Sequence, residues 1–178
     1  SQGPWSSAHG PMTDLVESIH ESCSAAVLDG LEIVYVARVP TRSRIMSISL
    51  GIGSRLPAAA TSMGRVLLAA LAPTQRRAQL AQLHRLERHT AQTITDIGQL
   101  GAELEQVDRQ GYSIVDQELE PGLRSLAVPL VDAQDRTVAA LNVGTHAARV
   151  TLDRLRREIL PELRQCAARI SQGFIHDG

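Results

Sequence analysis

The sequence predicts an α+β fold, a mainly antiparallel sheet flanked by helices. Three observations carry that expectation. Apolar runs rich in Val, Ile and Leu stand in pairs joined by polar turns, Asp29-Gly30 in one pair and Asp132 to Arg136 in the other, and strands joined by hairpins lie antiparallel. Other segments repeat their apolar residues every three or four positions, the period of a helix packed on one face. Aromatic residues make up only 2% of the chain, so the layers must close on Leu, Val, Ile and Ala.

In chain order, residues 1–12, SQGPWSSAHGPM, read as a tag or linker remnant, and one domain follows over 13–178. Thr13 caps a first helix to Ser22, with Leu15, Val16 and Ile19 on one face and Asp14 in the first turn. Ala25 to Val39 is a hairpin about Asp29-Gly30, where both turn positions favour positive φ. A third strand is predicted over Arg44 to Leu50. Gly51, Gly53 and Pro57 then disfavour a regular element. Thr61 caps a helix in which Met63, Val66, Leu67 and Leu71 recur at helical spacing. Pro73 starts another, which Leu80, Leu83 and Leu86 carry to about residue 88. After a polar connector, Thr95 caps the next helix, with Ile97, Leu100, Leu104 and Val107 inward and Gly111 as its stop. Strands follow over Tyr112 to Asp116, Leu123 to Val131 and Thr137 to Gly144; Pro129 marks an edge or a bulge. A long helix from Thr151 closes the chain, kinked or restarted at Pro161.

Composition removes several function classes. With 178 residues and 43% hydrophobic side chains the chain is long and apolar enough for a folded core. A net charge of −1 with no basic stripe argues against DNA or RNA binding by this segment, and so few aromatics argue against a stacking platform for single strands. No apolar run approaches a membrane span, and no signal peptide precedes the domain. Cys23 and Cys166 match neither a zinc pattern nor a disulfide framework. Placed in two predicted helices, they read as small buried hydrophobes in a reducing, cytoplasmic setting. The segment therefore reads as part of a longer cytoplasmic protein.

The search for chemistry ends at a pocket. None of the six histidines stands at metal-ligand spacing. Ser62, in T-S-M-G-R, fits neither a nucleophile elbow nor an S-x-x-K motif. Gly51-Ile52-Gly53 lacks the context of a dinucleotide site. Asp116, Glu118 and Glu120 read either as a general acid and base or as a solvated loop edge. Nothing makes a positive case for catalysis, a cofactor or a metal. The first amides of the Thr61-capped helix, near Ser62, Met63 and Gly64, have no partner within it and lie at the positive end of its dipole. Two readings fit: a helix capped by its own threonine with Gly64 there for packing, or a seat for a small anion with Gly64 letting a ligand approach the backbone. Ser125 and Asn142 are polar within apolar strands, and an inward polar group needs a partner, whether backbone, water or ligand. Asp116 and Glu118 offer acceptors to ligand hydroxyls, and Leu56, Met63 and Leu123 offer apolar walls.

The stretches L-D-G-L-E-I-V-Y-V-A-R, G-S-R-L-P-A with T-S-M-G-R-V-L-L-A, G-Y-S-I-V-D-Q-E-L-E-P-G-L-R-S-L-A-V-P-L and V-A-A-L-N-V-G together resemble the IclR family of bacterial transcription regulators. The resemblance covers the family's C-terminal effector-binding domain, about residues 13–175. The spelling around Met63 looks like the branch that regulates aromatic-acid catabolism, the PcaR, PcaU and PobR group. The resemblance implies a GAF-like sheet and an N-terminal winged helix-turn-helix domain outside this chain, through which alone DNA is bound. It implies a homodimer or tetramer and no enzyme activity. It implies a small aromatic or keto acid effector such as 4-hydroxybenzoate, protocatechuate or β-ketoadipate, its carboxylate held by backbone amides at Ser62 and Met63. Asp116, Leu123, Ser125, Asn142 and Gly144 would line the rest. The alternative is an enzyme acting on an ester or lactone of such an acid.

Overall fold

The sheet grows from the hairpin at Gly30. β1 (Ser22–Asp29) and β2 (Glu32–Val39) pair antiparallel with Asp29 opposite Glu32. Gly30 alone of the two turn residues takes positive φ, 63°, the pattern of a two-residue turn with glycine at its first central position. The turn is thus Gly30-Leu31, one residue later than expected. The computed structural model describes residues 5–41 and 50–177, with side chains to residue 174. Within them lie four more strands: β3 (Arg55–Pro57), β4 (Ser113–Asp116), β5 (Leu123–Val131) and β6 (Thr137–His146). They form one sheet of six in the order β3-β2-β1-β6-β5-β4, antiparallel at every pairing. The strand expected over Arg44–Leu50 falls on residues outside those described. Pro129 sits opposite Ala140 of β6, past the point where β4 stops pairing with β5 at Ala127. Its missing N–H therefore faces a local edge.

Helices cover both faces: α1 (His9–Ile19), α2 (Ser62–Ala69), α3 (Pro73–Ala81), α4 (Ile97–Gln110), α5 (Leu152–Arg154) and α6 (Leu160–Asp177). The expected alternation of helix and strand groups is present, with boundary corrections. α1 begins at His9, not Thr13, because Pro11 falls in its first turn, where a missing N–H breaks no helical bond. Residues 5–12, expected as a linker, supply buried Ala8 and Met12 to the core, and Trp5 packs edge-on against Phe174 at 5.3 Å. α1 ends at Ile19 on a left-handed His20, so Cys23 lies in a strand rather than a helix. α3 stops at Ala81, short of residue 88. Asp96, not Thr95, caps α4, its carboxylate accepting from Gln99 N at 2.8 Å. Between α5 and α6 the helix widens into a π turn, Leu155–Ile159, in which Leu160 N donates to Leu155 O. The turn comes just before Pro161, which has no N–H to continue the regular ladder.

Side chains alternate across the sheet and separate two cores. Cys23, Ala25, Leu126, Val128, Leu130, Leu141 and Val143 face α1 and α6. Ala26, Ala127 and Ala140 face α2 and α4, meeting Met63, Val66, Leu67, Leu100 and Leu104. Small residues on that face let α2 settle close to the strands.

Candidate functional site

Where α2 begins, the sheet face beneath it changes from alanine to polar and small residues. Ser22 pairs across the strands with Gly144, and Gly144 with Ser125. Above them opens a cavity of about 600 Å³, counting its open mouth, bounded by Tyr35, Arg38, Leu50, Leu56 and Val115, by Thr61, Ser62 and Met63 of the helix start, and by Leu119 and Leu123. The hairpin and the loop before β3 hold one wall: Gly53 N donates to Tyr35 O at 2.8 Å and Tyr35 N to Ser54 O at 3.0 Å. Leu50 and Leu56, on either end of that loop, line the cavity with Tyr35.

The helix start leaves polar groups turned toward the cavity. Thr61 is extended, and its Oγ1 accepts from Gly64 N at 3.1 Å. The cap uses one orphan amide and leaves those of Ser62 and Met63 with no acceptor among the described residues. Among the described residues Ser62 Oγ has no hydrogen-bond partner, and it is buried in a residue 1% exposed. A buried hydroxyl in that state costs free energy unless something fills the space beside it. On the sheet side, Asn142 Oδ1 accepts from Ser24 N at 3.0 Å, which leaves its amide nitrogen for the cavity. Arg38 Nη1 donates to Ser24 Oγ at 2.9 Å. Burial pushes the Tyr35 phenol up to about 12, against a smaller opposite pull from Arg38.

A buried ion pair locks the helix start to two loops. Arg65, 1% exposed, donates to Glu118 through Nη1 at 2.8 Å and Nη2 at 2.6 Å, and through Nε to Ala59 O at 2.9 Å. Glu118 Oε1 also accepts from Ile94 N at 3.0 Å, and Thr93 Oγ1 donates to the Glu118 carbonyl. Each guanidinium nitrogen and both carboxylate oxygens carry a hydrogen bond, in the bidentate form that suits this pair. The clamp fixes the segment that carries Leu119 over the cavity. No group of three or more His, Cys, Asp and Glu side chains among the described residues could hold a metal ion, and none of their helices is long and apolar enough to cross a membrane.

The family model for the C-terminal domain of the bacterial transcriptional regulator IclR matches residues 5–172. The chain belongs to the IclR family. It is 44% identical over 164 residues to the Pca regulon regulatory protein of Pseudomonas putida, covering 92% of this chain and 56% of that protein. The chain thus spans little more than half of that relative's length. Among solved structures, the one described as transcriptional regulator RHA06195 from Rhodococcus sp. RHA1 superposes with a TM-score of 0.92 at 46% identity, over 96% of this chain and 69% of that one. A double mutant of the PobR inducer-binding domain from Acinetobacter, in complex with 3-hydroxybenzoic acid, superposes with a TM-score of 0.85 at 33% identity, over 96% of this chain and 98% of that one. The antiparallel sheet with its helices is the IclR C-terminal fold, and the matched relatives are regulators of transcription rather than enzymes.

The IclR cavity gathers most residues singled out in the sequence. Leu56, Thr61, Ser62, Met63, Leu123, Ser125, Asn142 and Gly144 line it. Gly64 does not: it packs on Ala58, whose oxygen would lie 2.1 Å from an added Cβ. Asp116 is also elsewhere. It pairs across the strands with Arg124, while its neighbour Val115 pairs with Ser125. Alternation therefore sends Asp116 to the opposite face, where Arg124 Nε donates to it at 2.9 Å. Glu118 is taken by Arg65. The reading of these acids as free acceptors for ligand hydroxyls is corrected on both counts. Sequence reasoning passed over Tyr35, Arg38, Ser22, Val115 and Leu119. An arginine near the end of the largely apolar strand β2 was the signal available.

Proposed function

We propose that this domain is the effector sensor of an IclR-type regulator of aromatic-acid catabolism, and that its effector is a small carboxylic acid of the hydroxybenzoate, protocatechuate or β-ketoadipate kind. The observation that carries the reading is the start of α2, where two amides and the buried Ser62 hydroxyl, all without partners among the described residues, lie at one cavity. A carboxylate supplies acceptors to all three and sits at the positive end of the helix dipole. Leu56, Met63, Leu119 and Leu123 provide apolar walls for the carbon skeleton, and Met63 adapts to a flat ring or a chain. Ser125 and the Asn142 amide then read hydroxyl or keto groups on the skeleton. The 3-hydroxybenzoic acid complex of the PobR inducer-binding domain supports the choice of ligand class.

In the whole protein this sensor works in the cytoplasm as a homodimer or tetramer, and DNA is contacted by a separate winged helix-turn-helix domain. Sedimentation of the 178-residue chain at micromolar concentration tests the assembly, and a monomer alone contradicts it. Calorimetry and thermal shift with the three named acids test the sensor. An acid present at about a hundred times its Kd stabilises the fold by about 2.7 kcal/mol, a rise of roughly 5–10 °C for a domain of this size. Met63→Trp fills the cavity and abolishes the response while the fold survives. Undiminished affinity in folded Met63→Trp protein overturns the placement.

A further inference from the structure

The far core brings the two cysteines of the chain together. Cys23 and Cys166 stand far apart in the sequence and are the only thiols in it. Cys23 lies in β1, between Val39 of β2 and Val143 of β6, and turns to the side that α6 covers. Cys166 lies in α6, on the face that carries Leu163 and Ile170 into the same core. Both thiols are free, and they hydrogen-bond to each other. Packing alone asks only for small hydrophobes here, and does not require two thiols at one contact. Their surroundings are unequal. Cys23 is fully buried; its bond to Cys166 and that burial push its thiol up, against a weaker pull from Arg38. Cys166 is 4% exposed, with Gln165 and Arg169 in solvent beside it. The bond from Cys23 holds the Cys166 thiol below the ordinary range, and Arg169 adds to the effect. Burial opposes it, as does Asp14, which pairs with Arg169 at 3.1 Å. One thiol is thus easier to ionise and nearer to water, and the other stands behind it.

We propose that Cys23 and Cys166 are an oxidation site, a thiol pair that a peroxide closes into a disulfide between β1 and α6. No effector takes part, and the site stands whether or not the sensor reading does. The Cys166 thiolate attacks one peroxide oxygen. The O–O bond breaks, hydroxide leaves, and Cys166 becomes a sulfenic acid. The Cys23 sulfur then attacks the Cys166 sulfur. An S–S bond forms, the S–O bond breaks, and the departing oxygen takes the Cys23 proton and leaves as water. The proton that Cys166 gave up goes to the first hydroxide. Two thiols and one peroxide thus become one disulfide and two waters, with two electrons passing from sulfur to oxygen. Hydrogen-bonded sulfurs need a shift on the order of 1–2 Å to reach the disulfide bond length of about 2.05 Å. An easily ionised thiol with a second cysteine poised beside it is the arrangement that favours a reversible disulfide over further oxidation. In a reducing compartment such a bridge is transient, and so reports an oxidant rather than holding the fold. Ser24, the residue after Cys23, donates from its backbone to Asn142 of the cavity wall, so the bridge forms one residue away from that wall.

The test exposes the reduced, folded 178-residue chain to a few equivalents of hydrogen peroxide. Both free thiols are expected to disappear together. The product is lighter by two hydrogen atoms at the cysteines, a digest yields the Cys23 and Cys166 peptides joined, and dithiothreitol restores both thiols. Cys23→Ala leaves Cys166 to stop at the sulfenic acid, which dimedone traps. Cys166→Ala removes the first nucleophile and slows loss of the remaining thiol by about tenfold or more. The measurements on the unaltered protein decide the matter even where a variant fails to fold. Two thiols that survive peroxide in the folded chain, yet are lost at once when urea unfolds it, overturn the inference, because the pair is then packing alone. So does a disulfide between two copies of the chain in place of the internal one. So does a sulfinic acid at Cys166 with Cys23 still a thiol, or a Cys166→Ala protein that loses its thiol at the original rate. None of these outcomes touches the sensor reading.

Discussion

Gly64 shows how one residue decides between packing and binding. Its backbone lies against Ala58 so closely that an added Cβ would meet Ala58 O at 2.1 Å and Ala58 Cα at 2.3 Å. Backbone cannot yield as a side-chain tip does, so Gly64→Ala is expected to cost about 3 kcal/mol, read as a lower midpoint in urea. Arg65 and Glu118 make the same point with charge. Removing one partner leaves an ion buried without compensation, and Glu118→Ala should destabilise by about 3–5 kcal/mol. Replacing both, as Arg65→Met with Glu118→Leu, should recover at least half of that loss in the same denaturation experiment. Such residues also show what was legible. Ser125 and Asn142 announced themselves as polar positions in apolar strands, and both face the cavity. Asp116 stood out as strongly, but its direction hangs on the phase of alternation in β4. That phase is set by the pairing of Val115 with Ser125, which a single strand does not reveal.

At the scale of elements, α2 carries the site and its cap carries α2. Thr61 Oγ1 accepts from Gly64 N and also lies 3.1 Å from Pro57 O as a donor. Thr61→Ala is therefore expected to lower stability by about 1 kcal/mol in chemical denaturation. The amides of Ser62 and Met63 are not part of that cap, so calorimetry should show the acid bound by folded Thr61→Ala protein within about threefold of the original affinity. This element was legible because its start signal, helical period and apolar face agree. α1 was less so. Its face of Met12, Leu15, Val16 and Ile19 keeps one spacing, but Gly10-Pro11 reads as a break when in fact it forms the first turn. The widened turn before Pro161 was legible only as an irregularity, since a kink, a restart and a π turn all answer to a proline within a helix.

At the largest scale the described residues form one sheet with two cores, and the cavity lies on the α2 side. On the proposed reading an acid in the cavity bridges α2, the sheet and the loop that Glu118 clamps. Hydrogen exchange is expected to slow on α2, over residues 117–123 and along β6, and to change little on α1 and α6. Uniform slowing on both faces would show that the acid is read by the whole domain instead. The order of helices and strands, and hence the layering, was legible from periodicity and turn chemistry. The partition into two cores was not, because it depends on which strands become neighbours. That partition bears on how such a sensor diversifies. Along β5, Ser125 and Ala127 look toward the cavity side while Leu126, Val128 and Leu130 build the far core; along β6, Ala140, Asn142 and Gly144 alternate with Ala139, Leu141 and Val143 in the same way. Two messages are thus written on alternate letters of the same strands: one set builds the far core, and the other carries the core under α2 at Ala127 and Ala140 and the cavity lining at Ser125, Asn142 and Gly144. A lineage can rewrite the lining while leaving both cores intact, and a library randomised at Ser125, Asn142 and Gly144 samples new chemical tastes within a domain that still folds.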